Sequence, residues 1–219
     1  FRNMTTDSHR QASSGGKVRF ADPSARALIE GHLGALCDPA SAGWELVKQN
    51  PSRSVYRGRI GQQEVYVKHF HGRSLAHRLG RRLGISRAFC ELEFSQYLTS
   101  HGVSTPPALA AQADGQLEWY ATRAVEQAEP GDAWHERLLA QGPSARAAIE
   151  RATLALAQTV ARMHGCGVLH HDLHCGNILV RGRGPELELA ITDLHRMQRK
   201  RWLSRRRRAN VSAASGADR

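Results

Sequence analysis

The sequence predicts an α+β protein with a sheet-rich first lobe and a helical second lobe, on three observations. Three strand-like runs, WELVKQN (44–50), SVYRGRI (54–60) and EVYVKHF (64–70), follow one another across the short breaks NPSRS and GQQ, as an antiparallel meander does. Residues 144–165 carry Ile149, Ala152, Leu156, Val160 and Met163 on one helical face, with Ser144 as the expected N-cap. After that helix, VLHHDLHCGNILV (168–180) sets titratable side chains between apolar runs and ends in the strand-like NILV. A Gly/Pro turn (182–185) and a second strand-like run, LELAITDLH (187–195), follow.

The remaining elements fit the same plan. Residues 1–20 are polar and rich in Gly and Ser, the composition of a disordered end. Residues 22–36 suit a short helix with Pro23 just inside its start. A basic segment (73–85) precedes a helix from Ser86 to Ser100, where Phe89, Leu92 and Gln96 or Tyr97 keep helical spacing before His101-Gly102 ends it. STPPALAAQ and LEWYATRAV read as two extended segments around an Asp114-Gly115 turn. The expected division is a disordered segment (1–20), a first lobe (21–127), a partial second lobe (128–203) and a basic tail (204–219). After Asp193 come RMQRKRWLSRRRR and ANVSAASGADR, without apolar periodicity, and the chain starts at Phe1 ahead of Met4. The sequence therefore reads as a fragment whose second lobe is incomplete, with apolar surface left exposed beneath the 144–165 helix.

A hydrophobic content of 41% against 23% charged residues excludes a disordered chain. Four cysteines without CxxC spacing argue against a disulfide frame or a zinc site. No apolar run approaches the roughly 20 residues of a membrane-spanning helix, and the first residues lack a signal-peptide core. Cytoplasmic residence is the expectation. Of the net charge of +11, most belongs to residues 196–219, where nine arginines and lysines face Asp218 alone. Such a tail is drawn to anionic lipid or nucleic acid, or is simply a solvated end.

The chemistry suggested is phosphoryl transfer from a nucleotide, which needs a cation on the phosphates, ligands for Mg²⁺ and a carboxylate for the attacking hydroxyl. Lys68 sits mid-strand in VYVKHF, where an inward lysine is costly unless an anion meets it. Glu91 on the following helix is the natural partner, and Glu93 the fallback. Asp172 and Asn177 share one loop and Asp193 ends a strand beside it; hard oxygen donors of this kind suit Mg²⁺. As plain loop residues, Asp172 and Asn177 would only cap backbone N–H groups. His170 and His171 read as buried, hydrogen-bonded imidazoles that support the loop. A zinc site from His170, His171, His174 and Cys175 is too crowded to be tetrahedral.

HHDLHCGNILV followed by ITDLH resembles the protein-kinase-like pattern HxDxxxxN followed by a DFG-type triplet. SRAFCELEFSQYLTSHGVSTPPALA, HHDLHCGN and DLHR are, more narrowly, similar to the bacterial lipopolysaccharide core kinases, the Kdo/heptose kinase family, over residues 44–203. The resemblance implies a protein-kinase-like bilobal fold, use of ATP and Mg²⁺, and phosphorylation of a sugar hydroxyl in the lipid A–inner core region. Carried over, Asp172 becomes the catalytic base or orienter, and His174 a second catalytic residue able to approach the transferred phosphate. Asn177 and Asp193 become the metal ligands, and Lys68, held by Glu91, the phosphate clamp. The backbone of Val125–Gln127 becomes the adenine hinge.

The loop NPSRS takes the place of the glycine-rich loop without a glycine, so Ser52, Arg53 and Ser54, with nearby N–H groups, are left to contact phosphate. His195 stands where the triplet usually has glycine. The expected partner is a lipopolysaccharide glycolipid at an anionic membrane surface rather than nucleic acid. Arg78, Arg81 and Arg82 share a face beside Leu75, Leu79 and Leu83, as in an interfacial helix. The DLHxGN form also resembles aminoglycoside and choline phosphotransferases, which would predict a soluble substrate and an acidic pocket. A third reading is an inactive kinase-like scaffold.

Overall fold

The alternation in EVYVKHF fixes the orientation of the whole first lobe. In a computed structural model that describes residues 17–72, 86–114, 117–182 and 186–200, a six-stranded antiparallel sheet is built around it. The strands are β1 (Lys17–Phe20), β2 (Glu45–Asn50), β3 (Arg53–Ile60), β4 (Gln63–Phe70), β5 (Ala108–Ala113) and β6 (Glu118–Arg123), in the order β1-β5-β6-β4-β3-β2. Val65 and Val67 of β4 are fully buried on one face with Ile60, Leu109 and Trp119, so Tyr66 and Lys68 fall on the other. Lys17–Phe20, expected within a disordered end, pairs with β5 instead. Its apolar Val18 and Phe20 pack on the core.

Helix α1 (Pro23–Ile29) and helix α2 (Leu33–Cys37) cover the apolar face through Ile29 and Leu36. The single helix expected over 22–36 is broken by a 3₁₀ turn at Glu30–His32. Asp22 caps α1 by accepting from the Ala25 N–H. Helix α3 (Arg87–Ser100) starts at Ser86, whose Oγ accepts from the Phe89 N–H, while the buried Glu118 takes the Ser86 hydroxyl and the Ala88 N–H. Its buried stripe runs Ala88, Phe89, Glu91, Leu92, Ser95, Leu98, so Gln96 lies outside.

The second lobe begins with β7 (Glu129–Pro130) and helix α4 (Gly131–Leu139), to which the sequence reading assigned no element. Helix α5 (Arg146–Gly165) follows a 3₁₀ turn at Gly142–Ala145. Ser144 belongs to that turn, its hydroxyl bonded to the Gln141 carbonyl, so it does not cap the helix as expected. Of the α5 stripe only Met163 is fully buried, and Leu154 is 60% exposed. Strands β8 (Val168–His170) and β11 (Met197–Arg199) pair with each other, while β9 (Ile178–Arg181) lies between β7 and β10 (Glu188–Ile191). Leu98, Val103, Met163, Ile191 and Leu194 form the core that joins α3 to this lobe. Among the described residues no helix is long and apolar enough to cross a membrane. The basic segment 73–85, the Asp114-Gly115 turn at its glycine, most of the 182–185 turn and the tail 204–219 lie outside the described residues.

Two predictions follow from packing in the first lobe. A Cβ at Gly58 would stand 2.1 Å from the Trp44 ring, so Gly58→Ala is expected to cost about 1–3 kcal/mol in urea unfolding and to be relieved when Trp44 is also shortened. His69 donates to the Leu36 carbonyl at 2.7 Å, and burial, with His71 nearby, lowers its pKa from the ordinary 6.5. The unfolded chain then takes up that proton first, so stability falls as pH drops from 6.5 toward the lowered folded value. His69→Gln, which keeps the donor, is expected to flatten the dependence of the urea midpoint on pH across that interval.

Candidate active site

Strand alternation turns Lys68 toward a cavity of about 300 Å³ between the two lobes. The cavity wall includes Arg53, Lys68, Glu91, Val125, Asn177 and Asp193, six of the residues the sequence singled out. Apolar walls come from Val47, Val55 and Leu179. Val47 reaches it from the irregular register between Leu46 and Lys48 on the edge strand β2.

At the inner end sits a compact group of charges. Lys68 Nζ donates to both Glu91 oxygens at 2.8 Å and lies 3.3 Å from Asp193 Oδ1. Arg53 Nη1 reaches the same Asp193 oxygen at 2.5 Å, and His195 Nδ1 reaches it at 2.9 Å. His195 Nδ1 is also 3.2 Å from Glu91 Oε1. The Glu91 side chain is 1% exposed and that of Asp193 6%, so these cations take the place of the water that both carboxylates lose. Burial alone would raise the Asp193 pKa, but the His195 hydrogen bond, the Lys68 charge and Arg53 together hold it well below the usual carboxylate range. Burial alone would lower the His195 pKa, but its bonds to Asp193 and Glu91 prevail and raise it. Asp193 has a left-handed backbone, φ 63°, a conformation Asp tolerates better than most side chains. Glu93, the fallback partner for Lys68, points elsewhere and pairs with Arg19.

The histidine-rich loop is held by its own rings. His170 accepts the Asp172 N–H on Nδ1 at 3.1 Å and bonds the Thr192 carbonyl through Nε2 at 3.1 Å. His171, expected to be buried, is exposed and pairs with Gln198. His174 accepts the Gly176 N–H on Nδ1, and its Nε2 lies 3.0 Å from Asn177 Nδ2. Asn177, itself 5% exposed, donates to the Asp172 carbonyl at 2.8 Å. That bond and the His174 contact both engage the amide nitrogen. The Asp172 carboxylate is more open and has Arg196 at 3.6 Å.

Several expected residues do not reach the cavity. Ser52 bonds Asn50, and the buried Ser54 bonds His71 at 2.8 Å. Gln127, with φ 57°, belongs to a turn closed by the Ala128 N–H on the Val125 carbonyl, and only Val125 lines the wall. Asp172 and His174 lie outside that wall, joined to it through Asn177. Sequence reasoning gave no role to Asn50, although Asn-Pro is a turn signal. It gave none to Arg196 either, and it noted His195 only as a departure from pattern.

The family model described as lipopolysaccharide kinase (Kdo/WaaP) matches residues 45–213. Among solved structures, the chain aligns with WaaP in complex with acyl carrier protein at a TM-score of 0.58 and 22% identity, over 84% of this chain and 73% of that one. It also aligns with the bifunctional kinase-methyltransferase WbdD at 0.47 and 20% identity, over 68% and 30%. No curated protein matches the sequence. The likeness to WaaP shows a protein-kinase-like bilobal fold.

Removing one partner of the Lys68–Glu91 pair leaves a charge buried. Glu91→Gln is expected to lower unfolding free energy by roughly 3 kcal/mol, with much of the loss regained in Lys68→Met/Glu91→Leu, as urea titration of both variants would reveal.

Proposed function

Since this chain belongs to the lipopolysaccharide kinase (Kdo/WaaP) family, we propose that it transfers the terminal phosphoryl group of ATP to a Kdo or heptose hydroxyl of the lipopolysaccharide inner core. The observation that carries this reading is the meeting of Lys68, Glu91 and Asp193 in one cavity with Asn177. A deeply placed carboxylate and an amide oxygen fit Mg²⁺, which takes few protein ligands and fills its octahedron with water and phosphate oxygens. Asp193 and Asn177 would hold that ion, which when bound neutralises charge on the phosphates.

The chain's own residues do the rest. Lys68, positioned by Glu91, clamps the triphosphate. The wall of Val47, Val55 and Leu179 receives the base beside Val125. Asp172 orients the acceptor hydroxyl and takes its proton as the sugar oxygen bonds to the terminal phosphorus and ADP leaves. The bonds His174 makes within the loop favour a positioning role, holding Asn177 in place, over the direct phosphate contact expected from its spacing. The acceptor is a membrane glycolipid, and the basic segments 73–85 and 196–219 suit docking on an anionic bilayer face from the cytoplasm.

The test uses radiolabelled ATP and rough lipopolysaccharide precursor. Magnesium-dependent labelling is expected, with a loss on the order of 10²–10⁴-fold in Asp172→Ala and a comparable loss in Asp193→Ala. Labelling that survives both substitutions would refute the assignment, and nucleotide binding without transfer would point to a scaffold.

A further inference from the structure

Of residues 50–54, which join β2 to β3, only Arg53 lines the cavity, and the polar groups of the turn are already engaged. Asn50 Oδ1 accepts from the Ser52 N–H at 2.9 Å, the Ser52 hydroxyl at 2.8 Å and the Arg53 N–H at 2.9 Å. The Ser52 carbonyl takes the His71 N–H, and the Ser54 hydroxyl pairs with the His71 ring. A glycine-rich loop offers amides to phosphate; here those of Ser52 and Arg53 are spent on building the turn. The part of the turn that enters the cavity is the Arg53 side chain.

Arg53 differs from the other two cations at Asp193. Lys68 has both oxygens of Glu91, and His195 has one of them. Among the described residues, Asp193 is the carboxylate Arg53 pairs with, and its Nε is buried without a hydrogen-bond partner. The guanidinium side chain is 16% exposed. If another cation took Asp193, Lys68 and His195 would keep an anion, whereas Arg53 would be left as a largely buried, uncompensated charge. A phosphate group matches its planar fork.

We propose that Arg53 exchanges partners during the cycle: it masks Asp193 in the nucleotide-free protein and passes to the nucleotide's phosphates when a divalent cation claims that carboxylate. The inference rests on the nucleotide-dependent transfer proposed above and assigns to one side chain the phosphate grip that backbone amides give elsewhere. It also makes Arg53 a competitor of the metal, which a merely structural residue is not.

The test compares the full chain with Arg53→Gln and Arg53→Lys, folding being followed by thermal melting. Two quantities are read: binding of Mn²⁺ alone, from the resonance of free Mn²⁺, and Mg²⁺-dependent binding of a non-hydrolysable ATP analogue, from displacement of a fluorescent nucleotide. Arg53→Gln is expected to bind Mn²⁺ alone several-fold more tightly and the ATP analogue on the order of tenfold more weakly, as loss of a charged hydrogen bond to phosphate implies. Arg53→Lys should fall between it and the unaltered chain in both. Mn²⁺ affinity that is unchanged or weaker in Arg53→Gln, or ATP-analogue affinity that is unchanged, overturns the exchange; the transfer reading then stands as long as the unaltered chain binds the analogue with Mg²⁺ and Asp193→Asn does not. If the unaltered chain binds no analogue, both fall together.

Discussion

The structure depends on pairing two buried carboxylates with cations at the junction of its lobes. Glu91 comes from α3 of the first lobe and Asp193 from the end of β10, and each is too buried to rely on water. Lys68 from the central β4 bridges them, and His195 bridges them again from the second lobe. Removing either carboxylate leaves buried cations without the anion they share, which is why this group constrains the sheet, the helix and the strand end together. The same arrangement that holds the lobes in register creates an anionic point at the bottom of a cavity, with cations around it. That is the electrostatic form a metal–triphosphate site requires.

The histidines of the loop solve a different problem. A polar loop beside a cavity has to satisfy its own backbone without secondary structure. His170 ties the Asp172 N–H to the Thr192 carbonyl, and His174 takes the Gly176 N–H. The Asn177 backbone carbonyl in turn accepts the Thr192 N–H. Imidazole and amide side chains thus fix where Asn177 and Asp172 stand, and the flanking strands β8 and β9 need only be three and four residues long. The side chains that the sequence offers as chemistry are partly architecture.

Much of the fold was legible from the sequence. The three-stranded meander, the helix opened by Ser86 and the long helix ending at Gly165 all follow from apolar spacing and turn residues. Lys68 and Glu91 were legible because a charged residue on an otherwise apolar strand or helix face demands a partner. Helix α4 was missed because GDAWHERLL has no capping side chain at its start, and its signal, Trp134 and Leu138 one turn apart, is short. Ser144 was misplaced because a 3₁₀ turn delays the start of α5. The fates of Ser52 and Ser54 were not legible at all. They are set by Asn50 and by His71, and only the paired geometry of β3 and β4 brings His71 there.

The central claim is that Asp193, Asn177 and Lys68 together receive one metal-bound triphosphate. Diffraction from crystals grown with Mn²⁺ and a non-hydrolysable ATP analogue tests it most directly, because the anomalous signal locates the ion without reference to activity. The account predicts a manganese peak coordinated by the Asp193 carboxylate and the Asn177 amide oxygen, with Lys68 Nζ in contact with phosphate. A peak held by other side chains, or an analogue bound with Lys68 still turned to Glu91 alone, would contradict it.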